Sequence, residues 1–244
     1  MGNWYDKVVG ETGHYFHELI LPKTLALMDF SKTEAASLLD LACGQGVLAR
    51  SLPDQVAYAG IDLSPTLIAS AKKRTTREQT CFYVADATKK LPLEKKDFSH
   101  AALILALQNI AKPLEVLKNA ANHLRPGGKL LIILNHPCFR IPRQSSWGID
   151  PHTDIQYRRV DRYLSPMEIP IQTHPGKGAS STESLSFHHP LSAFSQWLYQ
   201  AGFAIDLIQE WCSDKESQGK AARRENRSRA EFPLFLALRA IRSA

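Results

Sequence analysis

The chain has 244 residues, of which 44% are hydrophobic and 22% charged, and its formal net charge is +6. These fractions are typical of an ordinary globular protein, and no apolar run approaches the ~20 residues that a membrane-spanning helix needs. The first residues, Met1–Asp6, lack the basic and apolar pattern of a signal peptide, so we expect a cytoplasmic protein without a membrane span.

The four cysteines are far apart in the chain and include no C-x-x-C pair. A zinc site or a disulfide framework needs closely paired cysteines or histidines, so we predict free thiols and no bound metal. Much of the excess positive charge falls between Lys215 and Arg229. A solvated loop or helix face explains such a run better than contact with nucleic acid.

Apolar strand patterns alternate with helical patterns, which predicts a mostly parallel sheet with helices packed against it. The predicted strands are Leu38–Ala42, Ala57–Asp62, Cys81–Val84, Ser99–Leu105, Lys129–Leu134, Phe203–Gln209 and Phe232–Leu238. The predicted helices are Val47–Leu52, Pro65 to about Arg77, Pro113–Leu124 and Leu191–Ala201. The last two strands flank the basic run, so they are candidates for an antiparallel pair.

Residues 137–189 interrupt this alternation, because they are rich in Pro, Ser, His and Arg and show little periodicity. A segment of this length is too long for an ordinary connection, and such segments often form lids or binding elements. We predict a substrate-side lid inserted after the fifth strand, with candidate substrate contacts at Phe139, Trp147, Tyr157, Arg158, Tyr163 and His188. The alternative is a small structural unit whose aromatic side chains pack on one another.

The first strand leads directly into the turn Cys43-Gly44-Gln45-Gly46, and a helix follows. Glycine lets the backbone approach a ligand closely, so this turn predicts a binding site at the edge of the sheet. Asp62, at the end of the second strand, is placed to accept hydrogen bonds from ribose hydroxyls. A nicotinamide-dependent oxidoreductase would show both features, so the turn alone leaves that alternative open.

Five stretches, taken together, resemble the class I S-adenosylmethionine-dependent methyltransferases, in particular their small-molecule-type branch. They are Leu38–Gly46, Gly60–Ile68, Tyr83–Pro92, Phe98–Ile110 and His123–Leu134. The resemblance implies an α/β, Rossmann-like, doubly wound fold with a mostly parallel seven-stranded sheet and an antiparallel last strand. It also implies S-adenosylmethionine as cofactor and S-adenosylhomocysteine as product. This chain departs from the family at Ala42, where glycine is usual, and at Gln108, where relatives often carry histidine.

The resemblance also implies roles for individual residues at the methionine end of the cofactor. Asp40 would act near the methionine amino group, through loop amides or a water. The methionine portion would be lined by Ala42, Cys43, Gly44 and Gly46. Leu103, near the end of the fourth strand, would offer its carbonyl to the ammonium group.

At the adenosine end, Asp62 would bind the ribose hydroxyls from an open cleft, and Leu63 would pack on the adenine. Asp86 would accept from the adenine amine, and Ala87 would offer its backbone amide to a ring nitrogen. The cofactor would be covered from the N-terminal segment by Tyr5 and His14. In this scheme residues 1–30 form a cap, 31–136 the cofactor-binding core, 137–189 the insertion and 190–244 the end of one single domain.

His136 directly follows the fifth strand, so we expect it to face the cleft, as the candidate general base. The acceptor is predicted to be a small molecule, because the chain lacks an RNA-binding appendage and reads Leu105-Ala106-Leu107-Gln108 where amino-methylating enzymes carry an N/D-P-P-F/Y motif. Methylation of RNA or protein and a non-catalytic binding module remain the alternatives. The identity of the acceptor and the oligomeric state stay open.

Overall fold

A computed structural model describes residues 15–172 and 183–243. Its centre is a seven-stranded sheet, formed by β1 (Ser37–Leu41), β2 (Ala57–Asp62), β3 (Thr80–Val84), β4 (Phe98–Ile104), β5 (Leu124–Asn135), β10 (Phe203–Trp211) and β11 (Phe235–Arg242). The strand order is β10-β11-β5-β4-β1-β2-β3. Strands β1 to β5 are parallel, whereas β11 runs antiparallel to both of its neighbours. The fold predicted from the sequence is therefore confirmed.

Six α-helices lie among the described residues: α1 (Leu21–Met28), α2 (Val47–Arg50), α3 (Pro65–Arg74), α4 (Pro113–His123), α5 (Leu191–Gln200) and α6 (Ala222–Glu231). A π-helical turn, Phe16–Ile20, precedes α1. The Ser64 hydroxyl accepts a hydrogen bond from the Leu67 amide and so caps α3, as the sequence predicts. No helix in these two ranges is long and apolar enough to cross a membrane. The four cysteines all fall within the described residues and are free.

The two faces of the sheet bury separate apolar clusters, because successive side chains of a strand point to opposite faces. Leu38 and Leu39 of β1 are both fully buried, yet they belong to different clusters. Leu39 packs with residues of α4 and α5, whereas Leu38 packs with residues of α1 and α3. Coverage on both faces explains why these strands are continuously apolar in sequence.

The described residues of the insertion, 137–172 and 183–189, contain two antiparallel strand pairs, although the sequence shows little periodicity there. The strands are β6 (Ser145–Ile149) paired with β7 (Gln156–Val160), and β8 (Met167–Gln172) paired with β9 (Glu183–His188). The β6/β7 hairpin packs on α6, where the Ser228 hydroxyl donates to the Gln156 carbonyl over 3.3 Å and Arg224 forms an ion pair with Asp154. These strands are short and rich in polar residues, because a two-stranded hairpin on the surface buries little of either face. Their sequence therefore shows no apolar periodicity from which the strands could be predicted.

Part of the basic run forms α6, which has two environments. Arg223 and Arg227 are exposed, as predicted for a solvated face. Ser228, in contrast, is buried against the β6/β7 hairpin. The basic run therefore also holds the insertion in place.

Candidate cofactor and acceptor site

The turn after β1 has an unusual backbone. Ala42, Gly44 and Gly46 adopt φ values of +62°, +57° and +72°. At Gly46 a Cβ atom would lie only 2.8 Å from Cζ of Phe82, so both the backbone angle and the space require glycine. Ala42 adopts the same left-handed conformation with a side chain, which costs about 1–2 kcal/mol.

Asp62 ends β2 and connects two elements at the edge of the sheet. Its Oδ2 accepts a hydrogen bond from the Gly44 amide over 2.9 Å, and its Oδ1 accepts one from the Ser64 amide over 2.8 Å. A carboxylate has about four acceptor positions, so capacity remains for a ligand. Asp62 lines the open cavity, as expected, and it also holds the glycine turn against the start of α3.

Asp86 follows β3 and is held in one orientation by Thr88. Its Oδ1 accepts hydrogen bonds from the Thr88 amide over 2.9 Å and from the Thr88 hydroxyl over 2.7 Å. These bonds lower the pKa of the Asp86 carboxyl, with a smaller contribution from Lys89. Leu63, the residue after Asp62, leaves 69% of its surface exposed and offers an apolar surface on which a flat ring can pack.

A cavity of about 770 Å³ opens at the carboxyl edge of the sheet. Its lining includes six of the residues predicted to bind the cofactor: Ala42, Gly44, Asp62, Leu63, Asp86 and Ala87. A further part of the lining comes from the end of β4, from the segment that follows it, and from the β8/β9 hairpin, which lies in the insertion predicted on the substrate side. It includes Ile104, Leu105, Ala106, Ile110, Ile171, Gln172 and Ser184.

A small recess adjoins this cavity and shares Ala42, Gly44 and Ile104 with it; Phe16, Asp40, Cys43 and Gln45 also line it. Asp40 is buried there, and the Tyr58 hydroxyl donates a hydrogen bond to its Oδ2 over 2.7 Å. Burial raises the pKa of Asp40 to about 7, although the Tyr58 hydrogen bond acts in the opposite direction.

Gln45 was missed by the sequence reasoning, which treated it as the variable position between two glycines. Its side chain is 1% exposed. The Oε1 atom accepts a hydrogen bond from Arg74 over 2.5 Å. Since a guanidinium can only donate, this contact fixes the orientation of the Gln45 amide group and leaves Nε2 as the second terminal atom. That Nε2 has no hydrogen-bond partner among the described residues. A buried donor without a partner is costly, so it is a candidate contact for a ligand in the recess.

Leu103 and His136, both predicted as site residues, do not line the cavity. Leu103 is fully buried in the apolar core, and the chain exposes Ile104 and Leu105 to the cavity instead. His136 is 2% exposed; its Nδ1 accepts from the Cys138 amide over 3.2 Å, so its Nε2 donates to Glu210 over 2.7 Å. His136 faces β10 because its own amide pairs with the Leu234 carbonyl just before β11. Burial also lowers the pKa of His136.

The predicted substrate contacts of the insertion do not line the cavity. Phe139 and Trp147 both pack on Phe232, with ring centroids 5.5 and 5.3 Å away. The hydroxyl of Tyr163 accepts from the Leu191 amide over 3.0 Å, and its carbonyl lies 2.8 Å from Nε2 of the buried His188.

The two remaining candidates, Tyr157 and Arg158, belong to the same hairpin. Tyr157 is half exposed beside Gly148, and Arg158 lies over the Trp147 ring. The physical reason for this placement is that the β6/β7 hairpin folds onto α6, so the aromatic side chains fill that contact. Tyr5 and His14 lie outside the described residues.

The sheet order, the glycine turn and the two aspartates at the carboxyl edge define a class I methyltransferase fold. Residues 39–132 match the family model described as a methyltransferase domain, so this part of the chain carries the sequence pattern of that domain.

Two curated relatives and two solved structures illustrate the similarity. Demethylmenaquinone methyltransferase of Lactococcus lactis is 30% identical over 148 residues, which cover 58% of this chain and 58% of the relative. The protein of the same name from Tropheryma whipplei is 28% identical over 173 residues, or 70% of this chain and 67% of the relative.

The solved structures share the fold over most of the chain. An S-adenosylmethionine-dependent methyltransferase from Mesorhizobium loti superposes with a TM-score of 0.70 at 24% identity, covering 91% of this chain and 96% of that one. A second, from Clostridium acetobutylicum, has a TM-score of 0.62 at 17% identity and covers 99% and 97%.

Proposed function

We propose that this protein transfers a methyl group from S-adenosylmethionine to a small-molecule acceptor. The observation that carries the proposal is the cavity at the carboxyl edge, where Asp62 is bonded to the glycine turn and where Asp86 and the exposed Leu63 line the same space. In open α/β sheets ligands bind at this edge. The two curated relatives are both named as methyltransferases, which supports the proposal of methyl transfer.

The residues present fit the cofactor from end to end. Asp62 retains acceptor positions for the two ribose hydroxyls, and Leu63 offers an apolar face to the adenine. Asp86, held ionised by Thr88, is suited to accept from the exocyclic amine. In the recess, Asp40 attracts an ammonium group when ionised, and Nε2 of Gln45 offers a hydrogen bond to a carboxylate.

When bound, S-adenosylmethionine supplies a methyl group activated by its sulfonium. The chain then has to hold the acceptor in line with that group, an effect worth up to ~7–11 kcal/mol. Ile104, Leu105 and Ala106 line the cavity, Ile104 also lines the recess, and Ile171 of β8 adds to the apolar surface. Among the described residues that line the cavity there is no histidine, so we assign no general base, and His136 keeps a structural role.

A small acceptor is favoured over RNA or protein by the shape and charge of this space. The cavity volume lies within the ~300–1,000 Å³ of typical small-molecule sites. The exposed arginines of α6 do not line it. The names of the two relatives point to a quinone-type ring as one acceptor class to test.

Calorimetry with S-adenosylmethionine, S-adenosylhomocysteine, NAD and NADP tests the cofactor. We expect binding of the first two ligands and none of the dinucleotides; the reverse pattern would overturn the proposal. Acceptor class is tested by salt, since binding to a phosphate backbone weakens steeply with ionic strength whereas binding of a neutral small molecule does not.

We also propose that residues 1–244 fold as one domain, with 1–30 as its cap and 190–244 completing the sheet.

A further inference from the structure

Leu105, the residue that directly follows β4, has a strained backbone. It adopts the left-handed conformation with a φ of +52°. A large side chain is rare in this conformation, because the Cβ atom comes too close to the following carbonyl oxygen, and glycine or asparagine is usual instead. Strain of this kind persists only where the surrounding structure enforces it, and it concentrates at ligand sites. The backbone therefore marks Leu105 as a candidate for a role in binding.

Three hydrogen bonds hold the backbone of Leu105 in place. Its amide donates to the Ile133 carbonyl over 2.8 Å. Its carbonyl accepts from Nε2 of Gln108 over 2.9 Å and, more weakly, from Nδ2 of Asn109 over 3.4 Å. Both amide side chains belong to the short 3₁₀ helix Leu107–Asn109. Gln108, which departs from the family pattern in the sequence, thus fixes the strained residue.

Leu105 lies where the cavity meets the recess. Ile104, the residue before it, lines both spaces, whereas Leu105 lines the cavity alone. The recess is the proposed place of the amino-acid end of the cofactor, and the sulfonium joins that end to the adenosine. The transferred methyl group is therefore expected near Ile104, and Leu105 is the next residue along this wall.

The lining around Leu105 is apolar. Ala106 and Ile110 continue it along the chain, and Ile171 of β8 belongs to the same cavity. Such a surface gains free energy when an apolar group covers it, and it offers no partner to a charged group.

The charged residues of the described lining belong to the adenosine end. They are Asp62, Asp86, Lys89 and Lys112. The two aspartates are the proposed contacts of the ribose and the adenine. The charges of both lysines lower the pKa of the Asp86 carboxyl, so the lysines lie near it. Among the described lining residues from 104 to 111, in contrast, none carries a charge.

We propose that Leu105 is a specificity-determining residue whose side chain packs against an uncharged, apolar portion of the methyl acceptor, and that Gln108 positions it. This inference rests on the proposed function and narrows its substrate class to acceptors that are apolar and uncharged where they meet this wall. Neither residue takes part in the chemistry. Leu105 contacts the acceptor, and Gln108 acts through Leu105.

The test uses the full chain saturated with S-adenosylhomocysteine. The probe is 1-naphthol, an uncharged bicyclic ring, and its fluorescence during titration gives a Kd. The variants are Leu105→Gly and Leu105→Met. The matched control is Arg162→Gly, because Arg162 is exposed, adopts a similar φ of +54° and is not among the described residues that line the cavity.

We expect Leu105→Gly to weaken 1-naphthol binding about tenfold or more, since even one missing methylene in an apolar pocket has roughly that effect. Leu105→Met keeps an apolar side chain of similar volume and should bind 1-naphthol like the unmodified protein. The control should also bind it unchanged, which separates loss of the side chain from relief of a left-handed backbone. S-adenosylhomocysteine affinity, measured by calorimetry, should stay the same in all three. Should Leu105→Gly not fold, Leu105→Asn replaces it, because asparagine tolerates this backbone, and the same loss is expected.

The positioning role of Gln108 is tested by a double-mutant cycle. Gln108→Leu removes the donor to the Leu105 carbonyl and should weaken 1-naphthol binding about threefold or more, as for the loss of a neutral hydrogen bond. In the Leu105→Gly background the same change should have no further effect, because two residues that act through one contact are not additive. A full additional loss there would show that Gln108 does not act through Leu105.

Two results would overturn the inference: equal 1-naphthol affinity in Leu105→Gly and the unmodified protein, or no 1-naphthol binding by a protein that binds S-adenosylhomocysteine. Failure to bind S-adenosylhomocysteine itself is a different outcome. It removes the proposed function, and with it the assignment of the bound ring to a methyl acceptor.

Discussion

Tyr58 and Asp40 form a buried hydrogen-bonded pair across the two neighbouring strands β1 and β2, with 2.7 Å between the hydroxyl and Oδ2. Gly60 makes the pair possible. A Cβ atom there would lie 2.8 Å from the Cys43 sulfur and 2.9 Å from the Tyr58 ring. The absence of a side chain on β2 thus lets a tyrosine, a cysteine and a carboxyl group come together under the glycine turn.

The first prediction concerns the protonation of Asp40. Its folded-state pKa of about 7 lies above the ~3.9 of an unfolded chain, so the protonated carboxyl stabilises the fold at low pH. That contribution is lost as pH rises through 7. We expect Asp40→Asn, which cannot ionise, to flatten the fall in free energy of unfolding between pH 4 and 8 by up to a few kcal/mol. Urea unfolding at several pH values measures this; parallel profiles for both proteins would contradict it.

The second prediction separates the two roles of Asp62. Asp62→Ala should lower S-adenosylhomocysteine affinity about tenfold or more, since it removes a charge-assisted contact. It should also lower the free energy of unfolding of the empty protein by about 1–3 kcal/mol, because the amides of Gly44 and Ser64 lose their acceptor. Calorimetry and urea unfolding measure the two effects. A folded variant with unchanged affinity would show that the ribose lies elsewhere.

The third prediction assigns Gln45 to the amino-acid end of the cofactor. Gln45→Glu keeps an oxygen for Arg74 but replaces the unpartnered donor with an acceptor, which repels a carboxylate. We expect S-adenosylhomocysteine affinity to fall about tenfold or more. Affinity for 5′-methylthioadenosine, which lacks the amino-acid portion, should not change. Asp62→Ala serves as the contrast, because it should weaken both ligands; an equal loss of both in Gln45→Glu would indicate a general disturbance of the site.

The fourth prediction concerns the strained alanine of the glycine turn. Ala42→Gly should raise the free energy of unfolding by about 1 kcal/mol, because glycine adopts the left-handed backbone without steric cost. The control is Ala230→Gly, at an exposed position of α6, which should lower stability by about 1 kcal/mol. Urea unfolding of the three proteins decides; a loss of stability in Ala42→Gly would mean that its side-chain contacts outweigh the strain.

The fifth prediction distinguishes the two hairpins of the insertion by hydrogen exchange. Amides of β6 and β7 should exchange slowly without ligand, because this hairpin is bonded to α6. Amides of β8 should gain protection when S-adenosylhomocysteine is added, because Ile171 and Gln172 line the cavity. If the ligand protects β6 and β7 while leaving β8 unchanged, the lid must be assigned to the first hairpin instead.

The sequence alone determined the sheet and the side of the cavity where the cofactor is proposed to bind. Strands such as β2 are covered on both faces, so each appears in the sequence as an unbroken apolar run. The residue at the end of each parallel strand then lies at the carboxyl edge of the sheet. Gly44, Asp62 and Asp86 therefore line the cavity as local patterns predict. Their positions follow from parallel strand order, which needs no knowledge of distant contacts.

Only the tertiary structure decided the acceptor side and the uses of the other polar residues. His136 directly follows β5 and Asp62 ends β2, yet pairing beside β11 turns His136 toward Glu210, 74 positions later in the chain. The Arg158 side chain donates a hydrogen bond to the carbonyl of Phe139, a contact that forms when the β6/β7 hairpin packs on α6. These contacts join segments far apart in sequence, and their energies depend on which surfaces pack together. The periodic pattern of a single segment does not specify the distant surface on which that segment packs.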